Sequence, residues 1–186
     1  MAFLQGFLRH PRQIASLVPS SRFLERRIAG LSALAAVRTV VELGPGTGGT
    51  TRALLAAMPS QATLLSIELS PDFVRTLRAI EDDRLLVHHG NAERLAEILD
   101  QYAWTAVDVI VSGIPFSLLR PDGRRQVIDA VWSALTPGGR FVAYQVCGRI
   151  QQLAEPLFGP AQVAVELRNF PPLRIYAWRK GRILAK

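Results

Sequence analysis

From residue 38 onward, short apolar runs alternate with stretches of helical period, separated by brief polar, glycine or proline breaks. The pattern predicts strands at 38–43, 63–68, 84–88, 106–111, 139–146, 161–169 and 173–180, and helices near 50–58, 71–80, 92–101, 122–135 and 149–156. Val40-Val41 and Val107-Asp108-Val109-Ile110-Val111 are apolar on both faces, as strands covered on both sides are. Alternation with short loops implies right-handed crossovers and a mostly parallel sheet between two helical layers. The last two strands are joined only by Asn169-Phe170-Pro171-Pro172, too short for a crossover helix, so they must pair as an antiparallel hairpin. The expected fold class is therefore α/β, Rossmann-like, with a C-terminal antiparallel strand and an N-terminal helical segment.

Residues 1–37 precede the alternation and form a separate expected unit, with 38–186 as the main domain. Phe3, Leu4, Phe7 and Leu8 share one helical face, followed by Arg9, His10 and Arg12; a second helix runs from Arg22 to about Leu34. An aromatic, basic-flanked helix of this kind can lie in a membrane interface, and it can equally serve as a lid or a dimer face.

Charge sharpens the first option. The net charge of +7 divides into +4 over residues 1–30, −3 over 31–167 and +6 over 168–186. Basic ends on a mildly acidic body suit an anionic surface, membrane or nucleic acid, while solvated arginine-rich ends are the plain alternative. At 49% hydrophobic residues the chain is expected to fold rather than stay disordered. It has no apolar run long enough to span a bilayer, and its first residues do not resemble a signal peptide. Cys147 stands alone, which excludes a disulfide framework and a cysteine-based metal site; it reads as a small hydrophobe on a buried strand. These features point to a cytoplasmic, peripherally membrane-associated protein without a metal or an obligate protein partner.

The chemistry concentrates at Glu42-Leu-Gly44-Pro-Gly46-Thr-Gly48-Gly49. Glycines here let the backbone turn sharply and let a ligand approach the main chain. The glycines alone match both a dinucleotide loop and other nucleotide loops. Glu42 separates the options, because a turn that holds a pyrophosphate disfavours a carboxylate beside it, whereas a cationic ligand such as S-adenosylmethionine favours one. Glu68 ends the second strand, where a carboxylate can accept from ribose hydroxyls. Asn91 follows the third strand and can accept from an adenine amine or simply cap the next helix. Ser112-Gly113-Ile114-Pro115-Phe116 follows the fourth strand at the ligand edge of such sheets. Adjacent His88 and His89 point to opposite faces of a strand and cannot converge on one site.

These residues resemble class I S-adenosylmethionine-dependent methyltransferases over about 40–180. A narrower resemblance, to soluble, membrane-associating bacterial phospholipid N-methyltransferases, rests on Phe-Leu-Arg-His-Pro and Val-Pro-Ser-Ser21 near the start. It also rests on Ser112-Gly-Ile-Pro-Phe116 and on Asn169-Phe-Pro-Pro-Leu-Arg-Ile-Tyr-Ala-Trp-Arg-Lys180. The resemblance implies a seven-stranded sheet and S-adenosylmethionine as cofactor. Glu42, Gly44, Gly46 and Gly48 would then hold its methionine part, Glu68 the ribose and Asn91 the adenine, with Leu69, Ala92 and Ser112 also at the cofactor. The family more often has Asp at position 91. The loop Gly113, Ile114, Pro115 and Phe116 would position the substrate, a lipid headgroup amine such as phosphatidylethanolamine. Phe116, or Phe3 or Phe7 folded back, would face the final trimethylammonium; a core role for Phe116 is the alternative. A ribosomal RNA adenine N6-methyltransferase is the rival enzyme. Such enzymes carry Asn or Asp in the register of Gly113 as an amine acceptor, and this chain also shows no appended RNA-binding domain, so nucleic acid is the less expected partner. A non-catalytic S-adenosylmethionine-binding protein is the third reading.

Overall fold

The computed structural model describes residues 21–169 and 171–181. The expected membrane or lid segment with Phe3, Phe7 and His10 lies outside them. Seven strands form one sheet: β1 (Thr39–Leu43), β2 (Thr63–Glu68), β3 (Leu85–His89), β4 (Val107–Ser112), β5 (Leu135–Gln145), β6 (Gln162–Glu166) and β7 (Leu173–Arg179). Their spatial order is β3-β2-β1-β4-β5-β7-β6. The first five are parallel, while β7 runs antiparallel between β5 and β6. The closing hairpin predicted from the short connection is present, and the fold class stands as expected.

Among the described residues six α-helices cover the sheet: α1 (Arg22–Ser32), α2 (Gly49–Ala57), α3 (Pro71–Arg78), α4 (Leu95–Gln101), α5 (Pro121–Ala134) and α6 (Arg149–Phe158). Strand alternation sorts the core into two layers. Val41, Leu43, Ile110 and Phe141 meet Leu95, Val127, Val131 and Ile150 of α4, α5 and α6 on one face. Val40, Leu64, Val109 and Val142 meet Leu24, Ile28, Leu54 and Leu77 of α1, α2 and α3 on the other. Burying such side chains supplies about 1.5–3 kcal/mol each. The part of the N-terminal segment that is described therefore packs into the body: Leu24 and Ile28 of α1 are fully buried.

β5 starts earlier than the sequence pattern indicates, at Leu135 rather than 139. Pro137-Gly138-Gly139 reads as a turn, but the chain pairs with β4 on both sides of an irregularity at Val107/Val109. Lys180 donates from Nζ to the carbonyls of Trp132 (2.6 Å) and Leu135 (2.7 Å), closing the end of α5 and fixing where β5 begins.

Candidate active site

A cavity of about 550 Å³ opens at the carboxyl ends of β1, β2, β4 and β5, a volume in the range of small-molecule sites. Its floor is built by loops that continue the strand pairing. Gly44 donates to Ile67 O (2.9 Å) and Gly113 to Leu43 O (2.9 Å), so both turns are held where their strands end. Gly44 and Gly46 have φ of +70° and +57°, and a Cβ on Gly46 would project into open space at the cavity wall. Gly48 also has positive φ, but it is buried against Leu77 and Ile80 and lies off the cavity wall, where it seats α2 on α3.

Glu68 lines the cavity and is already anchored: Oε2 accepts from Gly46 N (3.0 Å) and Oε1 from Ser70 N (2.8 Å). Each oxygen keeps a lone pair for a ligand hydroxyl. Leu69 is exposed on the wall, with its carbonyl 3.1 Å from His89 Nε2. Asn91 and Ala92 line the same region. Asn91 Oδ1 accepts from Glu93 N (3.0 Å), so the residue does act as a cap, of the 3-10 turn Ala92–Arg94. Phe73 and Leu119, which the sequence pattern did not single out, add apolar wall.

Glu42 does not reach the wall. It is fully buried beneath α2, where Oε2 accepts from Thr51 Oγ1 (2.6 Å) and Ser66 Oγ (2.9 Å), and Oε1 has no partner. Burial pushes its carboxyl up to about 7, helped by the nearby charge of Glu68 and opposed by the two hydroxyl donors. Ser112 is also fully buried; its Oγ lies 3.4 Å from Ile114 N, bracing the loop from behind. Phe116 is fully buried in the core and does not line the cavity, so its ring is placed in the core role rather than against a ligand. Gly113, Ile114 and Pro115 are on the wall.

Three further residues matter that sequence reasoning passed over. Gln145, at the end of β5, donates from Nε2 to Ile114 O and accepts at Oε1 from Phe116 N (3.3 Å), clamping the 112–116 loop. Tyr144 places its phenol in the cavity, 3.4 Å from Thr50 Oγ1. Burial, with the charge of Glu42 behind it, raises the phenol pKa and keeps it neutral. Asn169 accepts from Ser21 N (2.9 Å) and donates to Pro171 O (2.9 Å), tying the start of α1 to the cavity rim. Cys147 is half-buried on the wall, one residue past the exposed Val146, and not on a buried strand.

The charged side chains among the described lining residues are Glu68 and Glu93, with no lysine or arginine. Such a lining favours a cationic ligand and repels a pyrophosphate. The open Gly46 cradle and the anchored, ribose-competent Glu68 fit S-adenosylmethionine.

Comparison with known proteins agrees. A family model described as a methyltransferase domain matches residues 41–141. An ornithine lipid N-methyltransferase of Singulisphaera acidiphila is 32% identical over 180 residues, covering 95% of this chain and 94% of that protein. A ribosomal RNA small subunit methyltransferase H of Thermomicrobium roseum is 31% identical over 141 residues, 73% of this chain but only 39% of that protein. Among solved structures, the N-methyltransferase NodS of Bradyrhizobium japonicum in complex with S-adenosyl-L-homocysteine superposes with a TM-score of 0.70 at 15% identity, covering 86% of each chain. Fold, cavity and matches converge on one assignment: the chain belongs to the S-adenosylmethionine-dependent methyltransferases, and S-adenosylmethionine is its cofactor.

Proposed function

We propose that the protein is an N-methyltransferase acting on a lipid headgroup amine, of which phosphatidylethanolamine and ornithine lipid are the test cases. The observation that carries this reading is the match to an ornithine lipid N-methyltransferase over nearly the whole length of both chains. The ribosomal RNA methyltransferase match is confined to less than half of its relative. The cavity chemistry supports the same reading, since carboxylates without cations favour an ammonium or amine over a phosphate.

Cofactor-holding roles fall to the Gly44–Thr47 turn, Glu68 with Leu69, and Asn91 with Ala92. Glu42 acts from beneath the turn. When bound, S-adenosylmethionine would supply an electrophilic methyl for a neutral amine, with its thioether as leaving group and the amine's surplus proton passing to solvent. The protein's task is positioning and exclusion of water. Gly113, Ile114 and Pro115, held by Gln145 and Ser112, shape the acceptor end of the cavity.

The basic ends of the chain supply the attraction to an anionic membrane that brings the acceptor lipid within reach. No helix among the described residues is long and apolar enough to cross a membrane, which suits peripheral contact. Incubation with methyl-labelled cofactor and a total lipid extract, followed by separation of the lipids, tests the proposal. Label in an amine-bearing lipid supports it, and lipids that stay unlabelled while RNA takes up methyl refute it.

A further inference from the structure

At position 113 the chain carries no side chain, and a phenol from the neighbouring strand fills the space. A Cβ on Gly113 would overlap the hydroxyl of Tyr144, come within 2.7 Å of its Cζ, and meet Gly44 O at 2.8 Å. Tyr144 rises from β5 opposite Ile175 of β7, while Gly113 follows β4, the other neighbour of β5. Gly44, Gly113 and Tyr144 all line the cavity. One hydroxyl oxygen thus stands where the glycine turn, the 112–116 loop and the end of β5 converge.

A phenol has one proton and two lone pairs. Thr50 Oγ1 lies 3.4 Å away and either hydroxyl can donate to the other; in both arrangements the phenol oxygen keeps a lone pair for the cavity. The surroundings hold the group neutral: it is desolvated, and Glu42, Glu25 and Glu68 all oppose a phenolate. A neutral oxygen of this kind cannot take a proton outright at ordinary pH. It can accept a hydrogen bond from N–H and so orient the nitrogen's one lone pair for attack. We propose that the Tyr144 hydroxyl is the substrate-contacting acceptor that receives an N–H of the amine. This rests on the acceptor being an amine, as proposed above.

The chemistry imposes a selectivity that packing alone would not produce. A primary or secondary amine still carries N–H in its neutral, nucleophilic form, whereas a tertiary amine carries none. The hydroxyl therefore aids the first and second methylations and is idle in the third.

Tyr144→Phe keeps the ring and removes only the oxygen. In the variant, S-adenosylhomocysteine binding by calorimetry stays within about twofold, while lysophosphatidylethanolamine binding to the loaded protein weakens about tenfold, the range of one lost hydrogen bond to a charged donor. Lysophosphatidylcholine, which has no N–H, binds both proteins alike. In turnover, phosphatidylethanolamine and its monomethyl form lose about 10–100-fold and the dimethyl form less than about threefold. Equal losses on all three lipids, or none, overturn the assignment of Tyr144 while leaving the lipid reading intact. A wild-type protein that methylates no amine overturns both.

Discussion

Glu42 is a carboxylate folded into an apolar layer, and its consequence is measurable in pH. The unfolded chain releases this proton near 4.5, while the folded protein holds it until about 7. Between those values the folded state binds more protons than the unfolded one, so stability falls as pH rises, by on the order of 3 kcal/mol in total. Glu42→Gln keeps a hydrogen-bonding group without the ionisation. In denaturant titrations of cofactor-free protein it flattens the decline between pH 4.5 and 7 and is more stable than wild type at pH 8. An unchanged pH slope in the variant contradicts the account of Glu42.

The same residue shows what sequence can and cannot carry at this scale. Its place two residues before Gly44 pointed to the glycine turn, of which Gly44, Pro45, Gly46 and Thr47 line the cavity. Its burial beneath α2 depends on Thr51 and Ser66, one from a helix and one from a different strand, which no local pattern joins. Tyr144 was illegible for a related reason. A tyrosine among Phe141-Val-Ala and Gln145 reads as ordinary core, and only the pairing of β4 with β5 sets it over Gly113. Phe116 errs the other way, since a loop aromatic after Pro115 looks available but is fully buried.

Elements were more legible than side chains, because periodicity acts over many residues at once. β2 runs from Thr63 to Glu68 as predicted, and the antiparallel hairpin followed from the length of one connection. The insertion of β7 between β5 and β6 then sets the geometry of the N-terminal helix. α1 lies over α2 and the β6–β7 edge, held by Arg27 to Val165 O (2.6 Å) and to Glu166 (3.4 Å). Glu166 also accepts from Arg168, and those bonds hold its carboxyl down at about 2. Glu25 of α1 lies against Gly49 at the start of α2, so a displaced α1 exposes the cofactor turn. Asn169 is the buried link at the start of that helix. Asn169→Ala removes two bonds and is expected to cost about 1–2 kcal/mol, read as a fall of about 2–8 °C in melting temperature. S-adenosylhomocysteine affinity is expected to fall with it, through loosening of α1. A variant that melts and binds as wild type shows α1 to be held by its apolar face alone.

At the scale of the whole molecule the charge map complements the cavity. Carboxylates line the site, while the first 30 and last 19 residues hold 11 of the 22 arginines and lysines against a single acid, Glu25. On the proposed reading, a cationic headgroup would be drawn inward while an anionic surface stayed outside. Flotation with vesicles rich in anionic lipid follows: the protein should rise with them at low salt, and progressively less as ionic strength increases. Deleting residues 1–12 is expected to weaken flotation, and unchanged flotation removes that segment from the membrane contact. Binding that ignores both salt and anionic lipid assigns the basic ends to solvent.

The identity of the methyl acceptor is the central claim, and a competition in one tube tests it most directly. Purified protein is given methyl-labelled S-adenosylmethionine together with vesicles of phosphatidylethanolamine and ornithine lipid and with ribosomal RNA, and the label in each fraction is measured. The account predicts label on the lipid amines, with the RNA at background. Label in the RNA and none in either lipid contradicts it.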